Sequence, residues 1–91
     1  MEKYEKFGIF VFGQIFLINT FGVLYSFMED DFEFKDPIDP FYYSVITHTS
    51  IGYGDFGPKT RRAKILVMIH SIISLIMYSE FIVVMYTDSK N

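Results

Sequence analysis

Cysteine and tryptophan are both absent from these 91 residues. Without cysteine there is no disulfide framework and no thiolate metal site, two devices that let a short water-soluble chain fold around a small core. Organised positive charge is missing as well. Eight Lys and Arg face eleven Asp and Glu, the net charge is −3, and no basic stripe exists to follow a nucleic-acid backbone. No nucleophile, base and orienting residue come together along the chain, so neither enzymatic chemistry nor a cofactor is expected. Charge of either sign is scarcest in two long stretches: Phe7 to Met28 carries none, and Ile65 to Tyr86 carries a single carboxylate, Glu80.

In place of these stands apolar surface, with 51% of the residues hydrophobic and 20% aromatic, among them eleven Phe and seven Tyr. A water-soluble fold of this size buries only about two thirds of the surface its unfolded chain exposes, so a bilayer is expected to cover the remainder. Each charge-poor stretch is 22 residues long. As a helix each measures roughly 33 Å, enough to cross a hydrocarbon core of about 30 Å. The first is too long for a cleaved leader, and bulky and acidic residues follow it where a small-residue cleavage site would stand. Its Gln14, Asn19 and Thr20 are expected to face a neighbouring helix and hydrogen-bond there, as are His70 and Ser71 in the second.

Between the spans, Glu29 to Asp39 holds six carboxylates against the single Lys35 and belongs in water. Asp39-Pro40 is a helix-start signal, Asp as cap and Pro at the first helical position. The helix it opens, through Phe41, Tyr42, Tyr43, Val45 and Ile46, is apolar enough to enter a membrane and too short to cross it, which makes it re-entrant or interfacial. Its last residues lead into Thr47-His48-Thr49-Ser50-Ile51-Gly52-Tyr53-Gly54-Asp55. Gly-Tyr-Gly by itself reads as a turn. Preceded by a capped helix and flanked by two spans, it gains the structural context that a motif requires.

That nine-residue run resembles the selectivity-filter signature of potassium channels, Thr-x-x-Thr-Val-Gly-Tyr-Gly-Asp. Together with the two spans and the Thr-His-Thr run before the filter, the chain is similar to the miniature potassium channels of algal viruses. The resemblance covers most of the chain in architecture and is residue-specific over Thr47 to Asp55. It implies an all-α membrane protein of one domain, residues 1–91. Within it run an outer transmembrane helix (7–28), an acidic turret loop (29–39), a pore helix (40–49), a selectivity filter (50–55), an outer loop (56–64) and an inner transmembrane helix (65–86). The implied partners are three further copies in a homotetramer and membrane lipid, with K⁺ as the permeant ion.

The filter chemistry has a physical reading of its own. K⁺ gives up its water only where oxygens replace it at similar geometry, and rings of backbone carbonyls from four chains do this. Aiming successive carbonyls at one axis needs backbone that alternates in hand, and Gly52 and Gly54 reach positive φ without the penalty of a Cβ. By the resemblance, the K⁺ ligands are Ser50, Ile51, Gly52 and Tyr53, with Gly54 closing the filter. Ser50 stands where the family has Thr, keeping the hydroxyl and losing the methyl. Tyr42 and Tyr43 occupy the aromatic cuff, expected to brace Tyr53 and reach Asp55, with Thr47 and Thr49 as further support. Ile46 replaces a Glu that bonds the filter Asp in some channels. The pore helix aims its negative C-terminal end at the waiting cation.

Counting on from the filter, Ser74 falls at a hinge position, and Tyr78 and Ile82 follow at i+4 and i+8 on a face expected to line the cavity. Glu80 either rings the inner mouth with carboxylates or pairs with Lys3 or Lys6. His48 has no second ligand near it in sequence and is expected to be structural. The basic residues Lys35, Lys59, Arg61, Arg62 and Lys64 lie between the spans, against Lys3, Lys6 and Lys90 in the tails. This count opposes the orientation the resemblance implies, with the filter mouth outside and both termini cytoplasmic. Two alternatives remain open: a non-selective cation pore, and a non-conducting membrane hairpin such as a holin.

Overall fold

The longest uninterrupted apolar stretches become the two longest helices of the protein. In a computed structural model that describes residues 3–90, with side chains described from 4 to 87, α1 spans Lys3–Ser26 and α4 spans Arg61–Lys90. Between them lie a single turn, α2 (Glu29–Phe32), and the ten-residue α3 (Asp39–His48). There is no strand among the described residues. The whole is elongated, 50 × 21 × 19 Å, about the thickness of a bilayer with its headgroups.

α1 and α4 run antiparallel. Phe10 stacks on Phe81 at 3.9 Å between ring centroids near one end, and Phe21 stacks on His70 at 3.9 Å nearer the other. The stretches Tyr4–Ser26 and Arg61–Thr87 are each long and apolar enough to span a membrane, and only 17% and 11% of their apolar windows is buried within the chain. A core helix of a water-soluble protein is mostly covered by its own fold, whereas here Phe12, Phe16, Met68, Leu75 and Ile82 all face outward. Helices that are apolar on every side and uncovered by protein fit lipid and neighbouring subunits.

α3 lies against α1 and, less extensively, α4. Gly22 makes this possible, because the Phe41 ring occupies the space that a Cβ at this position would fill. The Ser44 hydroxyl, fully buried, donates to the Ile18 carbonyl at 2.7 Å and ties the two helices together. Gln14 also bonds across helices. Asn19 and Thr20, expected to do the same, instead donate to carbonyls four residues back in α1, Ile15 at 3.1 Å and Phe16 at 2.8 Å. A short polar side chain on a lipid-facing helix finds its nearest acceptor in its own backbone.

The helices differ from the expected ranges by one to four residues at their ends, α1 running 3–26 rather than 7–28, α3 39–48 rather than 40–49 and α4 61–90 rather than 65–86. Three of the differences bear on the site. The acidic loop contains α2, whose end is marked by Glu33 in a left-handed conformation, φ 61°. Asp39 does not cap α3. It is the helix's first residue, and its carboxylate turns back to accept the Lys35 and Asp36 amides at 3.1 and 3.0 Å, closing the preceding loop. α4 starts at Arg61, so Arg61, Arg62 and Lys64 form its first turn rather than a loop. Cations at a helix N-terminus oppose the helix dipole, and Asp31 answers them.

The Asp31 carboxylate is buried, and it accepts from Arg62 Nε at 2.6 Å, Arg62 Nη2 at 3.1 Å and the Thr60 hydroxyl at 2.6 Å, while the Asp31 carbonyl accepts the Lys59 amide at 2.8 Å. The Arg62 and Thr60 hydrogen bonds hold its carboxyl down, to about 2. Thr60 also caps the Ala63 amide at 3.3 Å. Near this clamp sits the hydrophobic core, formed by Phe21, Tyr25, Phe32, Phe34, Tyr43, Ile46 and Ala63.

Candidate functional site

The Ser50–Asp55 segment is held at its start by the end of α3. The Ile46 carbonyl accepts both the Ile51 amide at 3.0 Å and the Gly52 amide at 3.2 Å, and the Thr47 carbonyl accepts the Ser50 amide at 3.1 Å. From there the backbone alternates: φ is +65° at Ser50, +58° at Gly52 and +82° at Gly54, while Ile51 and Tyr53 keep ordinary negative values. Alternation of this kind turns successive carbonyls toward one side of the segment. Positive φ at Gly52 and Gly54 follows from residue type. At Ser50 it is a finding that the sequence reading missed, and it carries a penalty of roughly 1–2 kcal/mol for a residue with a Cβ. The only advance signal was position, two residues before Gly52.

Most of this segment faces out of the chain, with Ile51 52% and Tyr53 68% exposed. Its outer end is anchored by Tyr42, whose hydroxyl donates to Asp55 Oδ2 at 2.7 Å, a bond that raises the Tyr42 pKa. Phe56 continues the anchor, edge-on to Tyr42 at 6.2 Å and to Phe34 at 5.2 Å. The cuff pair therefore divides. Tyr43 does not reach Asp55; it is buried against Tyr25, Phe32 and Phe34. Adjacent residues on a helix point about 100° apart, so one helix cannot turn both rings toward the same carboxylate. Thr49 is exposed and bonds back to the Val45 carbonyl at 2.7 Å, and Ile46 is buried, filling with methyl groups the place of the absent Glu.

Behind the Ser50–Asp55 segment the chain hides a polar cluster. His48, the last residue of α3, and His70 of α4 are both fully buried, with His48 Nδ1 2.9 Å from His70 Nε2. His48 Nε2 lies 2.6 Å from Gln14 Oε1, and His70 Nδ1 lies 2.8 Å from the Tyr25 hydroxyl. The second histidine that the sequence seemed to withhold from His48 is thus supplied by the fold, 22 residues further on. Three or more metal-ligating side chains nowhere gather among the described residues.

Ser74 belongs to this cluster rather than to an open cavity face. It is 1% exposed, donates to the His70 carbonyl at 3.0 Å and lies 3.0 Å from His48 Nδ1. Tyr78, one turn on, is half-buried and donates to the His48 carbonyl at 2.9 Å, reaching the C-terminal end of α3 from below. Ile82, a further turn on, is 66% exposed. Of the three positions on this i, i+4, i+8 face, Ser74 and Tyr78 pack under the end of α3 and Ile82 stands open. Ser71 stays half-exposed at the side. Glu80 is exposed and lines a crevice of about 190 Å³ with Lys6, Phe10 and Phe81, which puts Lys6 and Glu80 on one inter-helix groove. The Lys3 side chain, the other expected partner, lies outside the described residues.

Residues 13–87 match the family described as ion channel. Similar curated proteins include two-pore potassium channel 4 of Arabidopsis thaliana, 40% identical over 71% of this chain and 25% of that protein. Probable potassium channel protein 2 of Methanocaldococcus jannaschii is 37% identical over 91% of this chain and 25% of that protein. The potassium channel protein kcv of Paramecium bursaria Chlorella virus 1 is 32% identical over 64% of this chain and 72% of that protein. The chain spans about a quarter of the length of the first two. With two membrane-length helices, a short helix between them and an exposed loop of alternating backbone at its end, the chain belongs to the ion channel family.

Proposed function

We propose that the chain is one of four identical subunits of a potassium-selective pore, conducting K⁺ passively through a filter made by Ser50 to Gly54 of each copy. The observation that carries this reading is the alternation of positive φ at Ser50, Gly52 and Gly54 in a segment that faces away from its own chain. One copy supplies a quarter of each carbonyl ring, and four around an axis complete the rings that replace the hydration shell of K⁺. The Ser50 hydroxyl adds oxygens at the inner end. Tyr42 and Asp55 brace the outer end, Tyr43, Thr47 and Thr49 support the helix beneath, and Tyr78 and Ile82 line the cavity below.

The likeness in span and sequence to the kcv protein supports placing the chain with the miniature viral channels. Antiparallel α1 and α4 support placing both described helix ends on one side of the membrane, which we take as the cytoplasm, with lipid around the outer faces. Neither span carries a series of arginines, and each charge moved through the field is worth about 2.3 kcal/mol per 100 mV, so only weak voltage dependence is expected.

The test is a reversal potential. Purified protein in planar bilayers between unequal K⁺ and Na⁺ solutions should reverse near the K⁺ equilibrium potential. Reversal near zero means a non-selective cation pore, and assembled protein that carries no current means a non-conducting hairpin.

A further inference from the structure

The cluster behind the filter has a direction. Gln14 Oε1 can only accept, so His48 Nε2 carries a proton and donates to it. Neutral His48 then presents a lone pair at Nδ1, and His70 Nε2 donates to it; His70 Nδ1 is left to accept from the Tyr25 hydroxyl. All four ring nitrogens are engaged in one chain, Tyr25 to His70 to His48 to Gln14, running from α1 through α4 and α3 back to α1. Tyr78 of α4 holds the His48 carbonyl at 2.9 Å, so α4 grips this residue at both ring and backbone while α1 grips the ring from the other side.

Apolar packing would fill this space without fixing any rotation; hydrogen bonds at both ring nitrogens fix position and rotation together. The residue so fixed is two positions before Ser50, the one residue of the alternating segment that holds a left-handed backbone with a Cβ attached. A strained residue persists only where its surroundings over-determine it.

We propose that His70, acting through His48, is a positioning residue that keeps Ser50 left-handed, and that loss of this latch lets Ser50 relax and swing its carbonyl off the ion path. The inference rests on the reading of Ser50 to Gly54 as the filter. It predicts an effect on how long the filter stays conductive, with little effect on which ion it prefers, since the glycines retain their own geometry.

Single-channel recording of the full chain tests it, because open lifetimes are read only from pores that have assembled. His70→Phe keeps the ring and its stacking on Phe21 and removes both nitrogens; mean open time should fall roughly tenfold, the scale set by the left-handed penalty. His70→Gln restores a donor near the Nε2 position and should return the lifetime to within about twofold of wild type. Adding Ser50→Gly to His70→Phe should lengthen the openings again, because glycine holds positive φ without help, whereas Ser50→Ala in the same background should not.

Unchanged lifetimes in His70→Phe, or rescue by Ser50→Ala as complete as by Ser50→Gly, overturn the latch. Should His70→Phe fail to assemble, Tyr25→Phe decides: deleting that single hydroxyl should shorten openings about threefold, as the loss of one buried hydrogen bond implies, and no change overturns the proposal. A wild-type pore without K⁺ selectivity would instead overturn the filter reading and the latch with it.

Discussion

In α3, Tyr43, Ser44, Ile46 and His48 are each less than a tenth exposed inside a single chain, while from Ser50 to Asp55 every residue is exposed. The two segments adjoin in sequence and are completed differently. α3 has its hydrogen bonds and packing met by α1, α4 and the turret. The segment after it is tethered at its two ends, by the Ile46 carbonyl and by Tyr42, and otherwise presents itself to whatever lies beside the chain. One chain therefore completes its own scaffold, while on the proposed reading it supplies only a fraction of the site. Mutations in the scaffold should act on assembly and lifetime, whereas those in the exposed segment should act on permeation.

The largest expected effect is at the glycines. Gly52→Ala or Gly54→Ala should abolish selective current, because a Cβ at φ of +58° or +82° costs roughly 1–2 kcal/mol in every subunit and turns the carbonyls away. No atom beyond the adjoining residues lies within 4 Å of either hypothetical Cβ, so crowding by the rest of the chain would not explain the loss. Selective current surviving in both variants would erase the distinction between the two regions.

Next comes the scaffold's outer clamp. Asp31→Asn should lower the melting temperature of the assembled protein without changing ion preference. Because the folded carboxyl sits at about 2 and its ordinary value is 3.8, the clamp contributes fully above pH 4 and fades as pH falls toward 2. The melting gap between wild type and Asp31→Asn should close across that window, and a gap independent of pH would place the Arg62 interaction elsewhere.

Ser50→Ala should have a narrower effect, weakening block by internal Ba²⁺, a divalent ion of nearly K⁺ size, while largely keeping K⁺ over Na⁺. Ser50→Thr keeps the hydroxyl and should leave ion preference and Ba²⁺ block little changed. Unaltered Ba²⁺ block in Ser50→Ala would mean that the hydroxyl is not a ligand. The smallest effect is expected at Glu80, where the shared groove with Lys6 favours pairing over a ring of carboxylates. Glu80→Gln should then reduce tetramer yield and leave the ratio of outward to inward current unchanged; a selective drop in outward current would favour the ring.

What was legible in the sequence was local. Charge depletion marked both spans, Pro40 marked the start of a short helix, and residue type marked positive φ at Gly52 and Gly54. The features that escaped depend on contacts between distant residues. His48 looked solitary because His70 reaches it only when α4 folds back under α3. The first turn of α4 looked like loop because Asp31, 31 residues before Arg62, supplies the charge that lets three cations open a helix. Asp39 carried a correct helix-start signal, but its carboxylate was claimed by the loop before it, and Tyr42 and Tyr43 could not be told apart until the axis of α3 fixed which ring faced Asp55.

The central claim is that an exposed filter segment in one chain is completed by three others, and a subunit-mixing experiment tests it most directly. Wild-type chain and Gly52→Ala chain, expressed in equal amounts, should assemble at random, with current only from pores free of the variant. Four subunits around one filter predict about one sixteenth of the wild-type current. About one half of the wild-type current would mean that each chain conducts by itself, and would contradict the account.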